Sequence, residues 1–304
     1  MRTGLFLYNP QSGAQALPKI LDEILAYGLD KGLTLIPFRL QLSAENRSLL
    51  AGFIQSPQIE FVIVSGGDGT LGMIAQLILS CRSGIPIGIV PSGTCNDFAL
   101  SLRLPQDVWD CINVVAENET VALDVGRVNG ERVFLSSCAA GMFVNISYSI
   151  SSQLKKALGP IAYYFSALGE LPRIRSFPLQ VETEFETIEG EFLLFLLLNG
   201  SQAAGFTNIN STANMRDGEM ELLLINALPT IELPYLLADL LGGAGSDDVH
   251  WLRRLKAGHF RFIGSRELIT TQDGEEGLPL PLDVEVLKQA LTVYIRRTND
   301  EKIY

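Results

Sequence analysis

The strongest constraint in this chain is a short apolar run, Phe61-Val62-Ile63-Val64, that leads directly into Ser65-Gly66-Gly67-Asp68-Gly69-Thr70 and on into a helical pattern over Thr70–Leu79. β-Branched and aromatic residues without polar alternation mark a strand covered on both faces. The same alternation surrounds it. Leu5–Tyr8, Thr34–Arg39, Ile87–Val90 and Val121–Val125 read as strands, and Leu17–Tyr27, Asn46–Phe53 and Val108–Val115 as helices; Leu17, Ile20, Leu21, Ile24 and Leu25 fall at helical spacing. Repeated β-α-β units predict a mostly parallel sheet with helices on both sides, and such sheets bind ligands at the carboxyl ends of their strands.

From Gly126 the pattern changes. Strand-like runs follow one another at Glu131–Ser136, Phe177–Phe185, Glu191–Leu198, Glu219–Ile225, Phe260–Gly264, Glu267–Thr271 and Leu282–Leu287, with helical segments at Ile150–Leu171, Leu233–Leu241 and Val249–Leu255. With 304 residues, more than one core usually organises, this predicts two domains. The expected fold is an α/β N-terminal domain, 1–125, followed by an antiparallel β-rich domain, 126–289. Periodicity alone leaves open whether the last strand, Ala290–Arg297, closes the second domain or returns to the first, which 290–304 would then complete.

Asp and Glu number 34 against 23 Lys and Arg, a net charge of −11, so the chain as a whole repels a phosphate backbone and nucleic acid is not expected as a partner. Cys81, Cys95, Cys111 and Cys138 have neither C-x-x-C spacing nor histidine spacing, which argues against a disulfide framework or zinc site. No stretch reaches the about 18 apolar residues of a membrane span. The first residues run straight into Asn9-Pro10-Gln11-Ser12-Gly13 without a secretory pattern, so a cytoplasmic protein without a transmembrane segment is expected.

The loop at Gly66–Thr70 has the composition of a phosphate cradle: glycines admit close backbone approach, and a helix start attracts anions. Asp68 beside phosphates calls for an intervening cation such as Mg²⁺; it serves equally well as a simple helix cap. A second loop, Pro91-Ser92-Gly93-Thr94-Cys95-Asn96-Asp97-Phe98-Ala99, follows another buried strand and again sets a carboxylate beside glycine. Two parallel strands would bring both loops to one crevice. Asp124 ends the next strand and could join Asp68 and Asp97 at one metal, or be a turn residue.

Together, Asn9–Gly13, the Gly66–Thr70 block and the Pro91–Ala99 block resemble the diacylglycerol kinase catalytic-domain family, in particular its soluble bacterial lipid kinases. Further matches follow in order: Cys138–Phe143, Gly159–Tyr163, Asn199-Gly200, Asp217-Gly218 and Asp273-Gly274-Glu275. The resemblance implies an NAD kinase/diacylglycerol kinase-like fold, with a β-sandwich-like second domain handling lipid and the last strand returning to the first. It implies ATP in the cleft between the domains, bound through Asn9, Gly66, Gly67, Asp68, Gly69, Thr70, Gly72, Thr94, Asn96 and Asp97. Asp68, Asp97 and Asp124 would hold a catalytic Mg²⁺ through water. Asp217, with the backbone carbonyls of Asn214 and Glu219, would hold a structural Mg²⁺, although Asp217-Gly218 alone reads as a hairpin turn. Asp273 would be the general base, with Glu275 close by. One departure is that Arg39-Leu40-Gln41-Leu42-Ser43 lacks the threonine that members commonly place after the second strand, leaving the adenosine contacts open.

The expected activity is therefore ATP- and Mg²⁺-dependent phosphoryl transfer to a lipid hydroxyl, with diacylglycerol as one of several acceptors the sequence does not separate. The rival readings are an NAD kinase, which shares the Gly-Gly-Asp-Gly-Thr loop, and a non-catalytic nucleotide- or lipid-binding module. Val249-His250-Trp251-Leu252-Arg253-Arg254-Leu255-Lys256 is a basic segment that either touches a lipid interface or is a helix with one packed face. Lys155-Lys156 and Arg173–Arg175 are similar candidates. Peripheral association with the inner membrane face and a second copy of the chain complete the expected partners.

Overall fold

The computed structural model describes residues 1–10, 17–41, 43–81, 83–142, 175–203, 209–210, 212–229, 232 and 250–296. The chain divides into two compact units, Met1–Leu123 with Gln289–Tyr304, and Asp124–Lys288.

In the first unit, β1 (Arg2–Tyr8), α1 (Leu21–Asp30), β2 (Leu33–Arg39), α2 (Ala44–Ile54), β3 (Phe61–Gly66), α3 (Asp68–Cys81) and β4 (Ile87–Pro91) alternate along the chain. All four strands run parallel in the order β2-β1-β3-β4, and Val293 of the chain's last strand pairs with Ile87 beyond β4. All six residues of β3 are buried, as expected of a strand covered on both faces. Two short helices follow, α4 (Asp97–Ser101) and α5 (Val108–Glu117), the latter capped by the Asp107 carboxylate, which accepts from the N–H groups of Trp109 and Asp110. Two details differ from the sequence reading. The first helix begins at Leu21, after a 3₁₀ turn at Leu17–Lys19, and runs on to Asp30. The α4 turn was not expected, because a five-residue helix is too short to show a period.

Asp124 begins the second unit within β5 (Thr120–Val128), which starts in the first. The strands after it are β6 (Arg132–Phe134), β7 (Ser137–Gly141), β8 (Phe177–Thr183), β9 (Thr187–Leu198), β10 (Met220–Asn226), β11 (Leu252–Ala257), β12 (His259–Gly264), β13 (Thr270–Gln272), β14 (Glu275–Glu276) and β15 (Leu282–Tyr294). Pairing is antiparallel throughout this unit. The first half of β9 pairs with β8, and its second half lies between β7 and β10. One strand thus serves two pairings and folds the sheet over a core in which Phe195 stacks on Phe262 at 4.5 Å between centroids.

The structure corrects three expectations here. The helix expected at Val249–Leu255 is strand β11 from Leu252 onward: Leu255 and Ala257 point inward with strand alternation, while Trp251 packs among Met142, Leu193, Leu194 and Ile225. The strand expected at Glu131–Ser136 is only the three-residue β6, and a separate strand, β7, begins just beyond it at Ser137. The two C-terminal strands are one, β15, which leaves the second unit at Lys288 and enters the first at Gln289, where φ is +48°. The helical expectations at Ile150–Leu171 and Leu233–Leu241, like Lys155-Lys156, Gly159–Tyr163 and Gln11–Gly13, lie outside the described residues.

The first unit also ties its ends together. The Arg2 guanidinium donates to the Tyr294 hydroxyl at 2.9 Å and to the Val115 and Ala116 carbonyls at the end of α5, lying over the rings of Phe61 and Tyr294.

Candidate active site

In the first unit, the two glycine loops emerge side by side from the carboxyl ends of β3 and β4. The Ser92 N–H donates to the Gly66 carbonyl, and a Cβ on Gly93 would stand 2.5 Å from the Gly67 Cα. No side chain fits at that crossing, which explains a glycine in each loop. Asn96, at φ 55°, closes the second loop by accepting from the Gly93 N–H at 2.8 Å.

Asp68 is the first residue of α3. Its carboxylate reaches across to the other loop and accepts the N–H groups of Asp97 and Phe98, each at 3.2 Å. Burial pushes the Asp68 carboxyl above its ordinary range, opposed by those backbone hydrogen bonds. Asp97 is 7% exposed. Gly69, Thr70 and Gly72 lie along the first turns of α3, Thr94 is exposed at the tip of the second loop, and the Asn9 N–H donates to the Ser65 carbonyl. The sequence-selected nucleotide residues of this unit therefore gather at the ends of β1, β3 and β4. At the departure noted after β2, Leu40 is buried at 8% exposure and Ser43 caps α2, so neither takes the place of the missing threonine.

In the second unit, Asp124 is fully buried and gripped by one turn. Its N–H donates to the Met215 carbonyl, its Oδ2 accepts the Gly218 N–H, both at 2.7 Å, and its carbonyl accepts from the Asn199 amide at 2.8 Å. The Asp217 carboxylate faces Lys256, with Nζ 2.6 Å from Oδ2; Glu219 stands 3.5 Å from the same Nζ, and the Lys288 ammonium donates to the Asp217 carbonyl. Asn214 spends its side-chain oxygen on the Arg216 N–H.

Asp273 and Gly274, at φ +50° and +78°, are the two central residues of the tight hairpin joining β13 to β14. The Asp273 carboxylate accepts the N–H groups of Leu135, Ser136 and Ser137 at 2.7, 2.7 and 3.1 Å. Glu275 is exposed, with Arg132 3.7 Å away.

Among the described residues, no three His, Cys, Asp or Glu side chains stand close enough to hold a metal directly. Water-mediated contacts suit Mg²⁺, which dehydrates reluctantly, and the buried Asp68 carboxylate offers the oxygen chemistry such an ion takes. The Asp217 cluster does not fit a divalent ion, because two ammonium groups already face it.

The sequence placed Lys256 only within the basic segment, did not single out Lys288, and gave Asn199 no role. Both lysines reach Asp217 through long-range strand pairing that leaves no local pattern; Asn199 was detectable as a polar residue ending the apolar run Leu194–Leu198. The basic segment also changes meaning. Arg253, Arg254 and Lys256 pair with Glu186, Glu221 and Asp217. With Trp251 buried at 7% exposure, that stretch is a packed, charge-paired strand rather than a lipid-facing helix.

Residues 3–128 match the family model described as diacylglycerol kinase catalytic domain, and residues 137–295 the one described as YegS C-terminal NAD kinase beta sandwich-like domain. A diacylglycerol kinase of Staphylococcus carnosus is 31% identical over 289 residues, which cover 95% of this chain and 93% of the relative. The chain belongs to the diacylglycerol kinase family. Membership makes it a lipid kinase, a phosphotransferase whose acceptor is an alcohol. The diacylglycerol kinase of Staphylococcus saprophyticus is 29% identical with the same coverage of both chains. A solved diacylglycerol kinase structure from Bacillus anthracis str. Sterne superposes with a TM-score of 0.74 at 20% identity, covering 97% of each chain, and a further structure from that organism reaches 0.83 at 23% identity, covering 97% of this chain and 95% of that one. These likenesses establish the fold. Among the described residues no helix is long and apolar enough to cross a membrane.

Proposed function

We propose that this kinase transfers the γ-phosphoryl group of Mg·ATP to the free hydroxyl of diacylglycerol presented at a lipid surface. The observation that carries the nucleotide half is the loop crossing at Gly67 and Gly93, bridged by Asp68; the acceptor follows from the names of the staphylococcal relatives.

Phosphoryl transfer demands positioning and charge neutralisation more than covalent help. Loop glycines and the N–H groups at the start of α3 receive phosphate oxygens, with Asn9, Thr70, Thr94 and Asn96 around them. Asp68 holds the second loop against the first, fixing where those N–H groups point. Bound Mg²⁺, held through water by Asp68, Asp97 and Asp124, would neutralise charge gathering on the transferred group. In the second unit, Asp273, with its carboxylate supported by three N–H donors, takes a hydrogen bond from the acceptor hydroxyl and receives its proton late, as the new P–O bond forms. Glu275, on the adjoining strand, adds negative charge beside it.

The test is incubation of the full chain with γ-labelled ATP, Mg²⁺ and mixed micelles carrying diacylglycerol, ceramide or a polyprenol, with NAD as a soluble competitor acceptor. Labelled phosphatidic acid as the dominant product is expected. Faster labelling of NAD, or no transfer to any lipid, overturns the reading.

A further inference from the structure

We infer that Lys256 supplies, from within the chain, the positive charge at Asp217 that the family resemblance assigns to a structural magnesium ion, and so positions Asp124 through the 215–218 turn. The catalytic consequence rests on the role proposed above for Asp124; the structural claim does not.

Three observations converge. First, the cation position is taken. Lys256 Nζ lies 2.6 Å from Asp217 Oδ2 and 3.5 Å from Glu219 Oε2, while Asp217 Oδ1 accepts the Glu219 N–H and the Asp217 carbonyl accepts from Lys288 Nζ at 3.2 Å. A divalent ion at these oxygens would displace one ammonium and face the other. The two carboxylates and two ammonium groups already balance.

Second, Lys256 is delivered by the sheet rather than by a wandering side chain. Antiparallel pairing of β10 with β11 sets Lys256 opposite Glu221, two residues past Glu219, and Ala257 opposite Met220. The ion pair Arg254–Glu221 fixes the same strand one step away.

Third, the turn so held grips Asp124. Gly218, between Asp217 and Glu219, donates its N–H to Asp124 Oδ2, and the Met215 carbonyl accepts the Asp124 N–H. Gly218 has φ +85°, a left-handed conformation that a side chain disfavours. Lys256 thus acts on Asp124 through the turn, as a positioning residue.

The test is thermal melting of the full chain without nucleotide, in EDTA and across a MgCl₂ titration, for wild type, Lys256→Met, Lys256→Gln, Lys256→Arg and Asp217→Asn. The wild-type midpoint should be the same in EDTA and Mg²⁺. Lys256→Met and Lys256→Gln should melt about 2–4 °C lower in EDTA, the shift expected for a modest loss in a protein of this size, and Lys256→Arg should recover most of the difference. Steady-state kinetics should show a kcat loss in Lys256→Met, unchanged KM for ATP, and recovery in Lys256→Arg. A Mg²⁺-dependent rise in the wild-type midpoint that Asp217→Asn removes overturns the inference, as does a wild-type midpoint in EDTA for both uncharged variants. A Mg²⁺ response that survives Asp217→Asn belongs to another site, and the EDTA comparison then decides. Failure of the catalytic reading shows separately, as full turnover in Asp124→Asn with the melting results intact.

Discussion

Asp68 and Asp273 are both carboxylates that hold backbone N–H groups, yet their environments set them apart. Asp68 is buried enough for its carboxyl to titrate above the ordinary range, so ionising it costs folding energy. The sign follows directly: with the folded pKa raised, the favourable contribution is fully present below the unfolded value near 3.9 and is lost as pH rises through the folded one. Asp68→Asn removes that loss. Its stability relative to wild type in EDTA should therefore increase as pH rises through the folded pKa and level off above it, while phosphoryl transfer falls on the order of 10²-fold or more. Urea melts at several pH values and a lipid kinase assay check the two halves. Asp273→Asn presents one acceptor oxygen and an NH₂ group to three N–H donors. It should lose about 1–3 kcal/mol of stability together with its turnover, and a denaturant titration reads the first loss without the assay. Neither distinction was legible in the sequence, because Asp-Gly reads the same whether the carboxylate faces a ligand or anchors a turn.

The parallel strands were readable because burial on both faces writes itself as an unbroken apolar run: Phe61–Val64 is the clearest case. The glycine loops were readable because close backbone approach excludes every other residue. Gly93→Ala should therefore force the loops apart by pressing a Cβ onto the Gly67 backbone, at a cost of about 1–3 kcal/mol, with KM for ATP rising more than KM for lipid; parallel melting and initial-rate measurements separate the two effects. β11 was misread because arginines and a tryptophan satisfy a helical period over so short a stretch. What makes it a strand is its pairing with β10, a contact between distant parts of the chain. The short α4 and the β6–β7 break escaped for a related reason, since their positions are set by hydrogen bonds to Asp68 and Asp273 from far along the sequence.

Across the whole molecule, β5 and β15 carry the chain from one unit to the other and back. Leu291, Val293 and Tyr294 of β15 are each at most 2% exposed, and burying each stabilises by about 1.5–3 kcal/mol. Their combined loss is comparable with the whole stability of an ordinary domain. A chain ending at Lys288 should therefore leave residues 1–123 open to limited proteolysis while the Asp124–Lys288 unit resists; equal resistance of both halves would count against this. The same arrangement sets an order of events during synthesis. The first unit to leave the ribosome waits for residues translated roughly 10–30 s later before Tyr294 can meet Arg2, since translation proceeds at about 5–20 residues per second. Until then β4 offers an unpaired edge at Ile87, so the newborn first unit needs protection just when its neighbour is still being made.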